Sequence, residues 1–381
     1  MTTHAQQQGK LTLMAVGDVM IKRENPASIF DGVRATLKQA DLLIGNQEGP
    51  ITDGGDPLLG KIQLGSRHVR GDVRTAAVQA EAGFSAMTLA NNHMMDFGPQ
   101  GLADTMRLLD EHGIAYAGGG LNADEARKPC ILESKGVKIA MLGYTTVYPV
   151  AGYPAGPDTP GVATLKVDTA YLPQENHFYQ PASPPIIVGI PDPAAMEGLV
   201  AGIRSAKEAA DLVVVQFHWG VAHQWGRISG YMKEMGRACI DVGADMIVGN
   251  HSHQLFGFEM YKGKLIAYCL NHFALEMWQN WRGWADTVIL KAEVENKQFT
   301  RLSLIPIDIE KESHDPKRAT GDRWASIRRD IQDMSEEFGT TFSVEGEELV
   351  IGGPRPGTPA PLRGSAVLRD RVTARSYPLL Y

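Results

Sequence analysis

The stretch Gly243-Ala-Asp-Met-Ile-Val-Gly-Asn-His-Ser-His253 places two imidazoles directly after a short apolar run. The run at 246–248 predicts a buried strand, and the glycine after it predicts a turn. Functional side chains of α/β enzymes commonly emerge at the carboxyl ends of the strands. Because histidine is the commonest metal ligand in proteins, His251 and His253 are candidates for a metal site at a strand end.

Four further polar motifs follow apolar runs in the same way. They are Gly17-Asp18, Asn46-Gln-Glu48, Asn91-Asn92-His93 and His218-Trp219-Gly220. Each motif alone has an ordinary structural explanation as a helix cap, a turn or a buried polar residue. Five such strand ends in one chain favour a single site. Carboxylate, amide and imidazole ligands suit one or two divalent ions such as zinc, manganese or iron.

Alternating strand and helix patterns predict an α/β fold with helical layers on a sheet. The strands are expected at 11–16, 41–45, 85–90, 115–117, 137–143, 212–217 and 246–248. The helices are expected at 26–39, 72–82, 98–112, 193–210 and 230–242. Late runs at 265–270, 286–294 and 299–306 predict strands that pair antiparallel, because short polar turns separate them.

The 381 residues suffice for one large domain with appendages or for two smaller domains. We expect a catalytic domain over residues 1–310, interrupted at about 148–193 by a Pro/Tyr-rich segment that is a lid or a flexible insertion. Residues 311–381 form a predicted extension with a charged helix at 322–338 and a Pro/Gly-rich loop at 352–361. This extension packs on the domain or mediates a homodimer.

Composition excludes several classes of protein. The net charge of −7 gives no electrostatic reason to expect nucleic-acid binding, which requires a basic surface. The three cysteines form no Cys-x-x-Cys pair, so we expect reduced thiols and no thiolate zinc site. No segment approaches the roughly 18 consecutive apolar residues of a membrane span. We therefore expect a soluble cytoplasmic protein without a membrane partner.

In order and spacing, the five motifs resemble the CapA family of capsule and poly-γ-glutamate synthesis proteins, within the calcineurin-like metallophosphoesterase superfamily. The match extends from about residue 11 to residue 307, and it includes 90–98, Ala-Asn-Asn-His-Met-Met-Asp-Phe-Gly. The resemblance implies a four-layer α/β/β/α sandwich of the metallophosphoesterase type. It also implies that metal ions bind between the carboxyl ends of the strands.

The resemblance implies a role for each matched residue. Glu48 would be the carboxylate shared by two metal ions. Asp18 and His253 would complete one metal site, and the other would be completed by Asn92, His218 and His251. His93 is similar to the general acid of the superfamily, and Asp96 would orient it as carboxylates commonly orient imidazoles.

The sequence departs from the family pattern at three places. Met20 stands where the superfamily usually has a histidine, so one metal site lacks a ligand. Ala222 replaces a glutamate that is frequent in the family, and His223 follows it. The stretch 268–273 reads Tyr-Cys-Leu-Asn-His-Phe where the family often has Tyr-Ser-Leu-Gly-Asn-Phe. His223 and His272 are therefore replacement ligands, proton-transfer groups or neither, and His272 is also a candidate catalytic residue.

Aromatic residues are dense around these departures. Trp278 and Trp281 follow the strand motifs closely, and Trp219 precedes His223 by four positions. One interpretation is packing in the core or at its rim, since tryptophan is mostly buried. The other is a binding surface for an aromatic or peptide substrate, made by Trp219, His223, Trp278 and Trp281, with the 148–193 segment as its lid.

Three functions remain open from the sequence. The first is a hydrolase that uses a metal-activated water on an ester, lactone, amide or phosphoester of a small molecule or peptide. Few basic residues flank the motifs, so nothing commits the site to phosphate. The second is a peptide epimerase of the same fold that exchanges a proton by acid and base without metal. The third is an accessory protein of capsule or poly-γ-glutamate synthesis.

Overall fold

Two mixed sheets, each with a group of adjacent parallel strands, form the centre of the molecule. The computed structural model describes residues 10–63, 67–174, 180, 183–222, 228–276, 286–355 and 357–358. In chain order the strands are β1 (Leu11–Met20), β2 (Leu42–Gln47), β3 (Phe84–Thr88), β4 (Ala115–Ala117), β5 (Gly119–Gly120), β6 (Cys130–Ser134), β7 (Val137–Thr145), β8 (Gly161–Val162), β9 (Val167–Leu172), β10 (Ile186–Pro191), β11 (Leu212–His218), β12 (Met246–Asn250), β13 (Phe258–Tyr261), β14 (Lys264–Ala267), β15 (His272–Leu275), β16 (Asp286–Glu295), β17 (Gln298–Ile309), β18 (Pro316–Arg318), β19 (Thr340–Glu345) and β20 (Glu348–Pro354).

The helices connect these strands and cover the outer faces of the sheets. They are α1 (Arg34–Leu37), α2 (Leu59–Gln63), α3 (Thr75–Ala82), α4 (Gly98–Glu111), α5 (Ala123–Arg127), α6 (Pro193–Ala209), α7 (Gly230–Val242) and α8 (Gly321–Ser335), with 3-10 helices at Pro26–Phe30 and Glu336–Phe338. No helix in the described part of the chain combines the length and the apolar character needed to cross a membrane.

The first sheet runs in the order β19-β20-β17-β16-β1-β2-β3-β4, with β15 beside β1 and β18 beside β17. Strands β1 to β4 are parallel, while β16 and β17 pair antiparallel as the sequence predicts. The second sheet runs in the order β13-β14-β12-β11-β7-β6. Its central strands β7, β11, β12 and β14 are parallel, so their carboxyl ends lie at one edge.

Three apolar cores separate the layers. Alternate residues of β1 and β11, such as Leu13 and Val214, point into one core shared by the two sheets. Their neighbours Met14 and Val213 point outward into two further cores, which α3 and α4 cover on the first sheet and α6 and α7 on the second. Burial on both faces explains the continuous apolar runs of these strands. The four-layer α/β/β/α sandwich implied by the family resemblance is confirmed.

Several elements differ from the sequence prediction. The single helix expected at 26–39 is a 3-10 helix, Pro26–Phe30, followed by the short helix α1. The break lies at Gly32, where the chain passes so close to β18 that a Cβ would lie 2.7 Å from the carbonyl oxygen of Pro316. The strand expected at 265–270 ends at Ala267, and it pairs parallel with β12 besides pairing antiparallel with β13.

Pairing with distant strands defines other elements that the local pattern does not predict. Strand β15 lies parallel to the end of β1, and β13 is the edge strand of the second sheet. The chain after residue 310 continues the first sheet, because β20 pairs with β17 and with β19. The 148–193 segment contains β8 and the hairpin of β9 and β10.

We predict that Gly17→Ala destabilises the fold by about 2 kcal/mol, the usual scale of overpacking. Strand β1 approaches the chain before β15 so closely that a Cβ at Gly17 would lie 1.7 Å from the carbonyl oxygen of Asn271. Urea unfolding measures the effect. The matched control is Gly198→Ala in α6, where no atom lies within 4 Å, and where alanine should stabilise the helix by about 0.5–1 kcal/mol. Equal midpoints for the two variants would contradict this prediction.

Candidate metal centre

Two buried carboxylates lie together where β1 and β2 end. The Asn46 side-chain amide donates to Asp18 Oδ1 at 2.8 Å and to Glu48 Oε2 at 2.7 Å. Asn46 is itself held by Asn91, whose side-chain amide donates to Asn46 Oδ1 at 3.2 Å. The side-chain oxygen of Asn91 also accepts from the backbone amides of His93 and Met94. The two asparagines therefore fix the carboxylates and the turn after β3 as one unit.

Imidazoles from the second sheet complete the cluster. His218, at the end of β11, places Nδ1 3.5 Å from Glu48 Oε2 and Nε2 2.7 Å from Asn92 Oδ1. His251 Nδ1 lies 3.1 Å from His218 Nε2. His253 Nδ1 contacts His272 Nε2 at the start of β15. Strand ends of both sheets thus meet at one place.

Two groups of side chains have the spacing of metal ligands. The ligand atoms of Asp18, His253 and His272 all lie within 4.8 Å of one another, and so do those of Asp18, Glu48 and His218. Asp18 is common to both groups. The register of β1 with β15 places His272 opposite Asp18, so an imidazole lies beside this carboxyl group although Met20 is not a histidine.

The backbone at or next to three histidines of the site is strained. His251 and His253 have φ values of 94° and 55°, and Asn271, directly before His272, has a φ of 69°. Positive φ is uncommon for residues with a side chain, and it concentrates at functional sites. The turn is therefore shaped to direct these imidazoles, at a cost to stability that the surrounding packing offsets.

Electrostatics favour a bound cation at this place. Burial raises the pKa of Asp18 to about 7, and burial together with the charge of Asp18 raises the pKa of Glu48 well above its usual range. Burial and the neighbouring His251 hold the pKa of His218 well below its usual value, so this imidazole is neutral. His218 is thus in the form that binds metal, and a bound cation would favour the ionised form of the two carboxyl groups.

Unused acceptor atoms support the fit to a metal ion. Asp18 Oδ2 and Glu48 Oε1 are buried without a hydrogen-bond partner. A buried carboxylate oxygen without a donor costs free energy, which a coordinated cation would recover. Oxygen and nitrogen ligands of this kind suit zinc, manganese or iron. The donor set of this chain therefore fits one or two divalent ions.

A second polar network lies behind His93. His93 Nδ1 lies 2.8 Å from Asp96 Oδ2 and 2.8 Å from the ammonium nitrogen of Lys61. Lys61 also donates to Asp96 Oδ1 and to the carbonyl oxygen of Asn92. The hydroxyl of Tyr153, from the 148–193 segment, donates to Asp96 Oδ1. Both contacts of the His93 ring with this network are made by Nδ1, and neither of them uses Nε2.

The pKa shifts in this network have opposite directions. Burial lowers the pKa of the Lys61 ammonium and of the His93 imidazole. Burial alone would raise the pKa of Asp96, but hydrogen bonds and charges from His93 and Lys61 outweigh it and lower that pKa. Asp96 is therefore an anion beside a neutral His93.

The structure brings most of the predicted site residues together and adds residues that the sequence does not single out. Asp18, Glu48, Asn92, His93, Asp96, His218, His251, His253 and His272 form one continuous cluster of polar contacts. Lys61 and Tyr153 join it although neither follows a strand. Their one sequence signal is a lysine and a tyrosine in apolar or glycine-rich surroundings, which is too common to identify a site.

The predicted aromatic surface is not brought together in the described residues. Trp219 is fully buried, stacks on Phe217 with ring centroids 4.4 Å apart, and donates Nε1 to the carbonyl oxygen of Tyr268 at 2.8 Å. These contacts favour a packing role for Trp219. The other three residues of the predicted surface, His223, Trp278 and Trp281, lie outside the described residues.

Fold and site define an α/β sandwich protein that gathers a cluster of metal-type ligands at the facing strand ends of its two sheets. The family described as bacterial capsule synthesis protein PGA_cap matches residues 12–276, and this chain belongs to that family.

Similar proteins carry related descriptions. The capsule biosynthesis protein CapA of Bacillus anthracis is 28% identical over 354 residues, covering 90% of this chain and 77% of the relative. The PGA biosynthesis protein CapA of Bacillus subtilis (strain 168) is 28% identical over 350 residues, covering 90% and 82%. A probable polyglutamine synthesis accessory protein of Mycobacterium tuberculosis (strain CDC 1551 / Oshkosh) is 29% identical over 187 residues, covering 47% and 42%.

The shared position of Asp18 predicts unequal effects of ligand substitutions on metal content. Asp18→Ala should weaken binding in both groups, whereas His272→Ala should leave the group of Asp18, Glu48 and His218 intact. We expect affinity losses of about 10-fold to 100-fold or more at each affected group. Elemental analysis after dialysis against zinc or manganese measures them. His112→Ala, an exposed histidine after α4, is the control, and equal metal loss in the two site variants would contradict the assignment.

The raised pKa values predict a pH-dependent stability of the metal-free protein. The folded protein keeps a proton on Asp18 up to about pH 7, whereas the unfolded chain releases it near 3.8. The contribution of Asp18 to the free energy of unfolding should therefore be complete below about pH 4. It should decrease as the pH rises toward 7. Urea unfolding of chelator-treated protein measures this trend. Asp18→Asn should flatten the dependence of stability on pH. An unchanged slope in that variant would count against the raised pKa of Asp18.

Proposed function

We propose that this protein is a divalent-metal-dependent hydrolase. The observation that carries the proposal is the pair of ligand groups sharing Asp18, beside a histidine, His93, whose Nδ1 is held by buried polar partners. A cation site next to an oriented imidazole is the combination that assisted hydrolysis needs.

His272 supports metal binding over a metal-free mechanism. The epimerase alternative depends on a site that lacks a ligand because Met20 is not a histidine. In the structure, His272 stands close to Asp18 and His253 with the spacing of a ligand. Asp18 and Glu48 also keep buried acceptor oxygens without donors, which suits a cation better than a proton-exchange site. These features favour the metal-dependent mechanism over the epimerase.

Each residue of the site would have a separate role in hydrolysis. A bound divalent ion supplies Lewis acidity and lowers the pKa of a water molecule toward neutrality. Asp18 and Glu48 provide the negative charge that holds the ion, and the imidazoles set its position. His93, held at Nδ1, presents Nε2 as the atom that gives a proton to the leaving group.

The relatives direct the choice of substrates. Two of them are described as capsule or PGA biosynthesis proteins, so amides and esters of carboxylate-bearing polymers come first among the substrates to test. The net charge of −7 offers no general attraction to such polyanions. Recognition would therefore depend on local contacts at the site, and small peptides are suitable probes.

A non-catalytic accessory role is the second candidate. It is supported by the description of the mycobacterial relative as an accessory protein of polyglutamine synthesis. In this case the metal would stabilise a binding surface for a partner protein instead of activating water. The two candidates differ in one observable, since only the hydrolase turns over a substrate in the absence of other proteins.

The test is hydrolysis by the purified protein of bis-p-nitrophenyl phosphate, p-nitrophenyl acetate, γ-glutamyl-p-nitroanilide and poly-γ-glutamate, with zinc, manganese or iron(II) added. We expect turnover of at least one substrate, loss with chelator and recovery with metal. Glu48→Gln should reduce the rate by roughly 100-fold or more, because it removes a charged ligand. His112→Ala should retain the full rate. A metal-loaded protein that hydrolyses none of the four would contradict the hydrolase and favour the accessory role.

A further inference from the structure

Lys61 is an unusual residue to find next to His93. Its side chain is 2% exposed, although lysine is almost never fully buried unless paired. It belongs to the short helix α2 and reaches three groups, namely Asp96 Oδ1, the carbonyl oxygen of Asn92 at 2.9 Å and His93 Nδ1 at 2.8 Å. The adjacent carboxylate of Asp96 favours the charged form of this amine.

Counting donors decides which ring nitrogen of His93 carries the proton. A lysine ammonium has three N–H groups and no acceptor, and Lys61 has three neighbours within hydrogen-bond distance. Two of these neighbours, the carbonyl of Asn92 and the carboxylate of Asp96, are acceptors. The third N–H of Lys61 therefore finds a partner only if His93 Nδ1 is unprotonated. A neutral His93 then has its proton on Nε2.

The competing arrangement is the familiar one, in which Nδ1–H donates to Asp96 Oδ2 at 2.8 Å. It would point an N–H of His93 at an N–H of Lys61 and leave a buried charged donor without an acceptor, which costs more than an ordinary missing bond. When the proton is on Nε2, Asp96 loses one hydrogen bond but keeps its others. Its Oδ2 keeps the backbone amide of Val69 at 2.7 Å, and its Oδ1 keeps Lys61 and Tyr153.

We propose that Lys61 is a positioning residue that places the proton of neutral His93 on Nε2, so that the imidazole is preset as a proton donor. Asp96 balances the charge of Lys61 and holds the ammonium in place. The ammonium contacts both the ring and the carboxylate, and its charge offsets the repulsion between the lone pair of Nδ1 and Asp96. The donor role of His93 rests on the proposed hydrolase, whereas the position of the proton does not.

The structure offers a matched pair of variants. Lys61→Met removes the ammonium but keeps a long apolar side chain, and His93 Nδ1 then gains by protonating and donating to Asp96. Tyr153→Phe removes a different donor to the same carboxylate and leaves the contact between Lys61 and His93 untouched. A general loosening of the network would affect both variants, while the proposed role affects only the first.

Nitrogen NMR of protein labelled with 15N-histidine tests the proposal without any substrate, because the chemical shifts of Nδ1 and Nε2 report which nitrogen is protonated. His93→Gln assigns the signals. In the unmodified protein and in Tyr153→Phe, we expect His93 to be protonated on Nε2. In Lys61→Met, we expect the proton to be on Nδ1. Protonation of Nδ1 in the unmodified protein would overturn the proposal even if Lys61→Met fails to fold, and an unchanged proton position in Lys61→Met would also overturn it.

The dependence of the rate on the leaving group gives a second readout. Loss of a preset donor should slow substrates with poor leaving groups by about 100-fold or more, but p-nitrophenyl esters by only a few-fold, because p-nitrophenolate leaves without a proton. Equal losses for both substrate types in Lys61→Met would contradict the proposal. Absence of turnover in the unmodified protein would contradict the hydrolase instead, and the NMR experiment would still decide the role of Lys61.

Discussion

The close approach of two buried carboxylates is the constraint on which the rest of the site depends. Asp18 and Glu48 share one amide donor, Asn46, and each keeps an oxygen without a partner. Like charges in a buried place raise each other's pKa and oppose ionisation unless a cation is present. His218 does not supply that charge because burial lowers its pKa, and Lys61 is engaged by Asp96. Without a cation the two carboxyl groups retain protons, and the arrangement is therefore suited to hold a metal ion.

The fold maintains this arrangement by bringing backbones unusually close. Gly17 lies against the carbonyl of Asn271, and a Cβ at Gly249 would lie 2.0 Å from the carbonyl oxygen of Tyr268. These contacts draw the ends of β1 and β12 toward the chain before β15. The same region contains the positive φ values of His251 and His253. Local strain at the strand ends is thus compensated by the three apolar cores, which need no contribution from the site.

Local pattern predicts the α/β class and the strand-end motifs, whereas the four-layer sandwich is implied by the family resemblance. Apolar runs give the parallel strands, and polar residues directly after them give the site at their carboxyl ends. Pattern does not predict β15, because the placement of His272 depends on the parallel register of this strand with β1. Lys61 and Tyr153 escape prediction for a similar reason. They reach Asp96 from a short helix and a long loop, through contacts that only the tertiary structure creates.

Asn92 connects the candidate metal ligands to the polar network around His93. Its side-chain oxygen lies 2.7 Å from His218 Nε2, and its backbone carbonyl accepts from Lys61 at 2.9 Å. His93, the next residue, therefore cannot shift relative to the ligand cluster without disturbing both contacts. Such coupling preserves the distance between a cation and a proton donor while the substrate surroundings change. Positions of the 148–193 segment that do not contact the cluster, unlike Tyr153, can therefore change without altering this distance.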